Sequence, residues 1–278
     1  MKVVERLEHL RAARADLPNP FGLVPTMGYL HEGHLSLVRT ATQDCASVGV
    51  SIFVNPTQFG PSEDLVAYPR DLERDLGLLA QEGIDLVWTP TVEELYPEGA
   101  PTWVTVDDLT EVLEGAQRPG HFRGVTTVVT KLFNAFQPDR AYFGQKDAQQ
   151  ARVLQRMTKD LLFPIDIVIC PIVREPDGLA MSSRNKYLSP EQRQTATVLS
   201  RALDGAAELY KSGQREADAL RGKMIEILAA KPLAEVQYIS VADPETLQEL
   251  EGEISRALLS MAVFVGKTRL IDNRLLGS

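Results

Sequence analysis

The chain has 278 residues, enough for about two domains of ordinary size or one large one. At 44% hydrophobic and 24% charged it has the composition of a globular protein that buries a core without disulfides or metals. A formal net charge of −9 argues against broad binding to nucleic acid or membrane surfaces, the two cysteines Cys45 and Cys170 outline neither a disulfide framework nor a zinc site, and the absence of an apolar leader or long apolar stretch makes the cytoplasm the expected compartment.

In chain order, His9 is a polar position on an expected N-terminal helix, and residues 21–24 (Phe-Gly-Leu-Val) are a short apolar run that reads as the first strand. An amphipathic helix is expected from near Leu35, and the β-branched run 48–54 predicts a buried strand. Leu72, Leu76 and Leu79 fall at helical spacing within 70–82, with Gly83 as a C-terminal stop. A strand is predicted at 84–88, a helix at 122–136, a strand at 140–143, a helix at 147–160, and a strand in the apolar run 164–170, where Cys170 reads as a buried hydrophobe. Strands alternating with helices predict a parallel sheet covered on both faces, an α/β Rossmann-like domain over residues 1–174 with ligands outside the carboxyl ends of its strands. Residues 175–278 predict a smaller α+β domain. Ser189-Pro190-Glu191-Gln192 carries a capping box and opens a helix running to Lys211, before Gly213. A second helix is predicted at 216–230, then strands near 236–241 and 261–265, separated by a short helix near 244–250.

Five segments carry chemistry. Pro25-Thr26-Met27-Gly28-Tyr29-Leu30-His31-Glu32-Gly33-His34 links a strand to a helix, where free N–H groups and the helix dipole favour a phosphate and two imidazoles can donate to developing charge. Two exposed histidines on a turn are the plainer reading of the same residues. Asn55-Pro56-Thr57-Gln58-Phe59 places two amides at a strand end, suited to a hydroxyl or a carboxylate, or in Asn55's case to turn chemistry alone. Arg118-Pro119-Gly120-His121-Phe122-Arg123-Gly124 is a Gly-rich approach to a helix, open to an anionic substrate or to simple capping. Gly144-Gln145-Lys146-Asp147 runs from a strand into a helix, with Lys146 a point charge for phosphate and Asp147 either a ribose partner or a cap. Met181-Ser182-Ser183-Arg184-Asn185 offers hydroxyls and a guanidinium in a loop that can wrap a triphosphate.

His-x-Gly-His followed at this separation by Met-Ser-Ser-Arg resembles the paired signatures of the nucleotidyltransferase superfamily that includes class I aminoacyl-tRNA synthetases. All five motifs, present together and in order, resemble the pantoate–β-alanine ligase family over nearly the whole chain. The resemblance implies that ATP and pantoate form pantoyl-adenylate, that β-alanine takes the acyl group to give pantothenate and AMP, that Mg²⁺ is required, and that the enzyme is a homodimer binding no nucleic acid or membrane. By motif it places Met27, Gly28, Tyr29, Leu30, His31, Glu32, Gly33, His34, Gly144, Gln145, Lys146, Asp147, Val173, Met181, Ser182, Ser183 and Arg184 at ATP, with His34, His31, Lys146 and Arg184 catalytic. It assigns Gln58, Gln150, Asn55, Thr26 and His121 to pantoate and β-alanine, names Asp75 as a candidate metal ligand, and has the smaller domain close over the active site. The rival readings are another nucleotidyltransferase, such as one making a dinucleotide cofactor, and a non-catalytic nucleotide sensor.

Overall fold

Six short apolar runs pair as a wholly parallel sheet: β1 (Lys2–Val4), β2 (Phe21–Thr26), β3 (Ser47–Ile52), β4 (Leu86–Trp88), β5 (Arg140–Gly144) and β6 (Asp166–Cys170). Their order is β1-β4-β3-β2-β5-β6. The connecting helices are α1 (Leu7–Ala15), α2 (Glu32–Asp44), α3 (Leu72–Gln81), α4 (Val92–Leu95), α5 (Leu113–Gln117), α6 (His121–Phe136) and α7 (Ala148–Asp160). The computed structural model describes residues 1–61 and 63–277. It falls into two compact units, Met1–Thr110 with Gly115–Gly144 and Gln150–Pro171, and Glu111–Glu114 with Gln145–Gln149 and Ile172–Ser278.

Alternation along the strands explains why this sheet is buried on both faces. Leu23, Leu86, Trp88, Ala141 and Phe143 join Leu10 of α1 and Val129, Phe133 and Phe136 of α6 in one cluster. Their neighbours Val24, Val87 and Tyr142, with Cys170, join Leu37, Val38 and Ala41 of α2 and Leu79 of α3 in the other. Cys170 is buried, and burial pushes its thiol pKa up, as its apolar setting predicts. Gly49 is set by packing: a Cβ there would stand 2.6 Å from the Phe21 ring and 2.9 Å from Phe136, the two rings that stack across it. The chain turns back at β2, which pairs with β3 on one side and β5 on the other, so the carboxyl ends of β2 and β5 mark the switch point at which such sheets bind ligands.

Two differences from expectation have physical causes. β1 is an unexpected edge strand of three residues, too short for alternation to show, held by its parallel register with β4. α2 begins at Glu32, three residues ahead of the apolar run at Leu35, because His31 caps it.

In the second unit, α8 (Pro190–Ala196), α9 (Val198–Lys211) and α10 (Ala217–Ala229) accompany an antiparallel meander of β7 (Ala234–Ala242), β8 (Ala257–Val265) and β9 (Thr268–Leu276). Leu199, Ala202, Leu203 and Ala206 of α9 and Leu220, Met224 and Leu228 of α10 pack on Val241, Leu259, Met261 and Val263. Ser189 and Gln192 form the expected capping box, but the helix is interrupted at Thr197 rather than continuous to Lys211. The short helix expected at 244–250 is a turn, because Asp243 Oδ1 accepts the N–H groups of Glu245 and Thr246, each at 2.8 Å, and so competes with helical pairing. β9 is unexpected, since Asp272, Asn273 and Arg274 break its apolar alternation. Among the described residues no helix is long and apolar enough to cross a membrane.

Candidate functional site

In the first unit the loop after β2 is built around two consecutive left-handed residues, Gly28 (φ 80°) and Tyr29 (φ 50°). The second is a non-glycine residue in a region that costs on the order of 1–2 kcal/mol. Asp75, in the first turn of α3, stabilises it: Oδ2 accepts the Tyr29 N–H at 2.6 Å and Oδ1 the Leu30 N–H at 2.8 Å. Gly28 lies so close that a Cβ would sit 3.1 Å from Asp75 Oδ2. Arg74 completes the clasp, donating to Leu30 O at 2.9 Å with its guanidinium 5.3 Å from the Tyr29 ring centre. Asp75 is 1% exposed, and burial raises its carboxyl pKa against the opposing pull of the Leu30 and Tyr29 N–H groups. Among the described residues no three His, Cys, Asp or Glu side chains converge. The Asp75 carboxylate, the candidate metal ligand, also shapes the loop through the Tyr29 and Leu30 N–H groups.

His31 and His34 cap the N-terminus of α2 reciprocally. His31 Nδ1 accepts the Gly33 N–H at 3.1 Å, and His34 Nδ1 accepts the His31 N–H at 3.3 Å. Both Nδ1 atoms therefore act as acceptors, which in a neutral ring leaves Nε2 as the protonated nitrogen of each. The rings lie 4.0 Å apart, centre to centre, with two donors of one kind at the positive end of a helix. Thr26 ties the loop to the sheet, donating to Ser51 O at 2.9 Å and accepting the Gly28 N–H at 3.2 Å.

The amides after β3 fall into two roles. Asn55 is 1% exposed and its side chain is fully engaged: Oδ1 accepts from Thr57 Oγ1 and Tyr96 Oη, each at 2.9 Å, and Nδ2 donates to Gly124 O and Gln58 Oε1, each at 3.1 Å. These bonds are turn chemistry, and through Gln58 Oε1 Asn55 orients Gln58. Gln58 is half-buried and its Nε2 lies 3.1 Å from Met27 Sδ, so the loops after β2 and β3 meet. Gly124 is needed where α6 crosses this turn, because a Cβ would collide with the Thr57 carbonyl.

His121 is committed to the same turn. Arg118 Nη1 lies 3.1 Å from His121 Nε2, and a guanidinium can only donate, so Nε2 accepts and Nδ1–H donates to Gln58 O at 2.8 Å. Arg118 also grips Glu63 through Nε and Nη2 at 2.6 and 2.7 Å. Burial raises the Glu63 carboxyl pKa, but Arg118 outweighs it and holds the group below the usual range. His121 thus supports the Gln58 backbone.

Gly144 closes β5 and Gln150 is half-buried in the first turn of α7, both in the first unit. In the second unit, Gln145–Asp147 form one 3₁₀ turn, with Lys146 Nζ 3.6 Å from Asp147 Oδ1. Asn273 of β9 holds this turn: Nδ2 donates to Gln145 O and Lys146 O, each at 2.9 Å, and Oδ1 accepts from Gln145 Nε2 at 3.0 Å. Val173 O accepts the Met181 N–H at 3.0 Å at the base of a tight hairpin. Beyond it Ser182 Oγ caps the 3₁₀ helix Ser183–Tyr187 through the Arg184 N–H at 3.3 Å. Arg174 steadies the hairpin, donating to Gly178 O at 3.0 Å and to both Asp272 oxygens at 2.7 and 2.9 Å. Arg74, Glu63, Asp272 and Asn273 carry no motif signal, since each acts on segments remote in sequence.

Taken unit by unit, the arrangement offers a helix N-terminus with two imidazole donors and an amide beside it, and a lysine turn and a hydroxyl-guanidinium loop held by one strand. These are groups suited to phosphate oxygens and to a small hydroxy acid. A family model described as pantoate-beta-alanine ligase matches residues 2–275. A pantothenate synthetase of Roseiflexus castenholzii is 60% identical over 276 residues, covering 99% of both chains. A pantothenate synthetase structure from Thermus thermophilus superposes with a TM-score of 0.95 at 50% identity, again over 99% of each chain. A pantoate-beta-alanine ligase from Francisella tularensis, solved with beta-gamma ATP and β-alanine, gives a TM-score of 0.81 at 34% identity over 99% of this chain and 97% of that one.

Proposed function

Because the chain belongs to the pantoate–β-alanine ligase family, we propose that it joins pantoate to β-alanine through a pantoyl-adenylate, releasing pyrophosphate and then AMP. The enzyme is a ligase of pantothenate biosynthesis and ATP is its substrate. The observation that carries the adenylate reading is the His31–His34 cap: two donors at a helix N-terminus, on a loop locked by Asp75.

Pantoate is ionised at neutral pH, so the first step needs alignment with the α-phosphorus and neutralisation of phosphate charge rather than a base. In this reading the Nε2–H groups of His34 and His31 donate to phosphate oxygens as charge builds, and the backbone from Met27 to Gly33, Gly144, Gln145 and Asp147 hold the nucleotide, with Val173 beside adenine. Lys146, Ser182, Ser183 and Arg184 take phosphate, and Met181 closes the loop that shields the mixed anhydride from water. Gln58 and Gln150 hold pantoate, with Thr26, Asn55 and His121 supporting that site. Mg²⁺ arrives as the counterion of ATP, which suits a small ion that keeps its waters and binds mainly through phosphates. The cytoplasm, where ATP is at hand, and a homodimeric state belong to the same proposal.

Pantoate labelled with ¹⁸O in its carboxylate tests the route. The adenylate requires one labelled oxygen to leave in AMP as the amine attacks, with AMP and pantothenate formed in equal amounts. Label in inorganic phosphate, or ADP as the nucleotide product, would refute it.

A further inference from the structure

The small sheet of the second unit contributes a residue pair that no motif contains. Asp272 and Asn273 are adjacent on β9, 2% and 3% exposed, although polar residues in a sheet core carry a cost unless every group is paired. Here the pairing is complete and directed at two loops. The Asn273 amide directs both of its hydrogens to main-chain carbonyls, those of Gln145 and Lys146, and its oxygen accepts the Gln145 side chain. Asp272 accepts both arms of Arg174, whose backbone bridges Ala180 at the neck of the hairpin that leads into Ser182–Arg184, and its Oδ1 also accepts the Asn273 N–H at 2.8 Å. One strand therefore fixes the backbone of the lysine turn and the base of the hydroxyl-guanidinium loop through two adjacent side chains, with the Asp272 carboxylate also accepting the main-chain N–H of Asn273.

We propose that Asn273, backed by Asp272, is a positioning residue for the ligase reaction, setting the lysine turn against the Ser182–Arg184 loop so that both meet one polyphosphate. The inference rests on the reading that Lys146 acts on phosphate. A three-residue 3₁₀ turn has too few internal hydrogen bonds to fix its own geometry, and displacement of a charged group by about 1 Å costs on the order of a hundredfold in rate. A carboxylate in place of the Asn273 amide would face two carbonyl oxygens with no hydrogen to offer, and alanine would leave them unpaired.

The test is steady-state kinetics of the full-length enzyme, with ATP varied at saturating pantoate and β-alanine. Wild type is compared with Asn273→Ala, Asn273→Asp, Lys146→Ala and the Asn273→Ala/Lys146→Ala double variant. The expected result is a fall of at least about tenfold in kcat/KM for ATP in both Asn273 variants, with KM for pantoate unchanged. In the Lys146→Ala background Asn273→Ala should then cost less than about twofold more, as for two residues acting through one contact. A merely structural Asn273 would lower the melting temperature and leave ATP kinetics of the folded enzyme intact, or cost the same with and without Lys146; either result overturns the proposal. If Lys146→Ala alone keeps wild-type kcat/KM for ATP, the phosphate reading of Lys146 fails first and the proposal with it. Asn273→Ser, which keeps a shorter donor, replaces the alanine variant if that one does not fold, with the same criteria.

Discussion

Removing the Asp75 carboxylate tests whether the shape of the nucleotide loop is imposed from α3. In Asp75→Ala the N–H groups of Tyr29 and Leu30 lose acceptors at 2.6 and 2.8 Å, and Arg74 loses its neighbour at 3.4 Å. Hydrogen bonds to a charged group contribute about 1.5–3 kcal/mol each, a gross loss of about 3–6 kcal/mol. Relief from burying a carboxylate whose pKa is raised by that burial offsets part of it, leaving about 2–3 kcal/mol. At roughly 2–4 °C per kcal/mol for chains near this size, calorimetry should show a melting temperature lower by about 4–12 °C. Tyr29 would also be free to leave its left-handed conformation, so KM for ATP should rise while KM for pantoate stays put. An unchanged melting temperature together with unchanged ATP kinetics would refute the clasp. Restoration of activity by excess Mg²⁺ would refute it differently, by returning Asp75 to a metal-binding role.

His34→Ala should lower the adenylation rate by on the order of a hundredfold, as loss of one preorganised donor does, while loss of its capping bond costs only about 1 kcal/mol; a folded variant with near-normal pyrophosphate release would count against the histidine. Glu63→Gln isolates the charge of the Arg118 pair. Because Arg118 holds the Glu63 carboxyl below its ordinary range, the pair stabilises the fold above the ordinary carboxylate pKa and that stabilisation disappears as pH falls through the depressed value, so urea midpoints of wild type and variant should differ at neutral pH and converge in acid. A gap that persists unchanged in acid would mean that packing, not charge, is at stake. Gly124→Ala should push α6 off the Thr57 carbonyl and raise KM for pantoate through Gln58, with a stability loss of about 1–3 kcal/mol; wild-type KM for pantoate would separate the α6 contact from the substrate site.

What the sequence revealed, and what it hid, divides by range of interaction. The strand-turn-helix at His31 and His34, the box at Ser189 and Gln192, and the stop at Gly83 are local, and local side-chain-to-backbone chemistry leaves a fixed spacing to read. The family signature likewise lies in contiguous motifs. Asn55 shows the limit: its type and place read equally as substrate contact or turn, and the partners of its amide, Gly124 and Tyr96, are brought in only by the fold. Arg74 and Asn273 were invisible for the same reason, since their partners are backbone atoms of distant loops and nothing near either residue marks the pairing. β9 hid because polar residues that hold loops replace the apolar ones that would have betrayed a strand.

The second unit recruits 111–114 and 145–149 from within the sequence of the first, and these short segments supply hydrogen-bond partners to its sheet. Glu114 receives both arms of Arg269 at 2.7 Å and the Tyr238 hydroxyl at 2.9 Å, just as the carbonyls of Gln145 and Lys146 receive Asn273. The architecture is therefore stitched rather than modular. A fragment beginning at residue 172 would carry an arginine, a tyrosine and an asparagine whose complements stayed behind, and a chimera spliced there would inherit those complements from another parent. Exchange of the C-terminal region between relatives should thus succeed only when residues 111–114 and 145–149 travel with it, which makes three stretches of sequence, scattered along the gene, one heritable part.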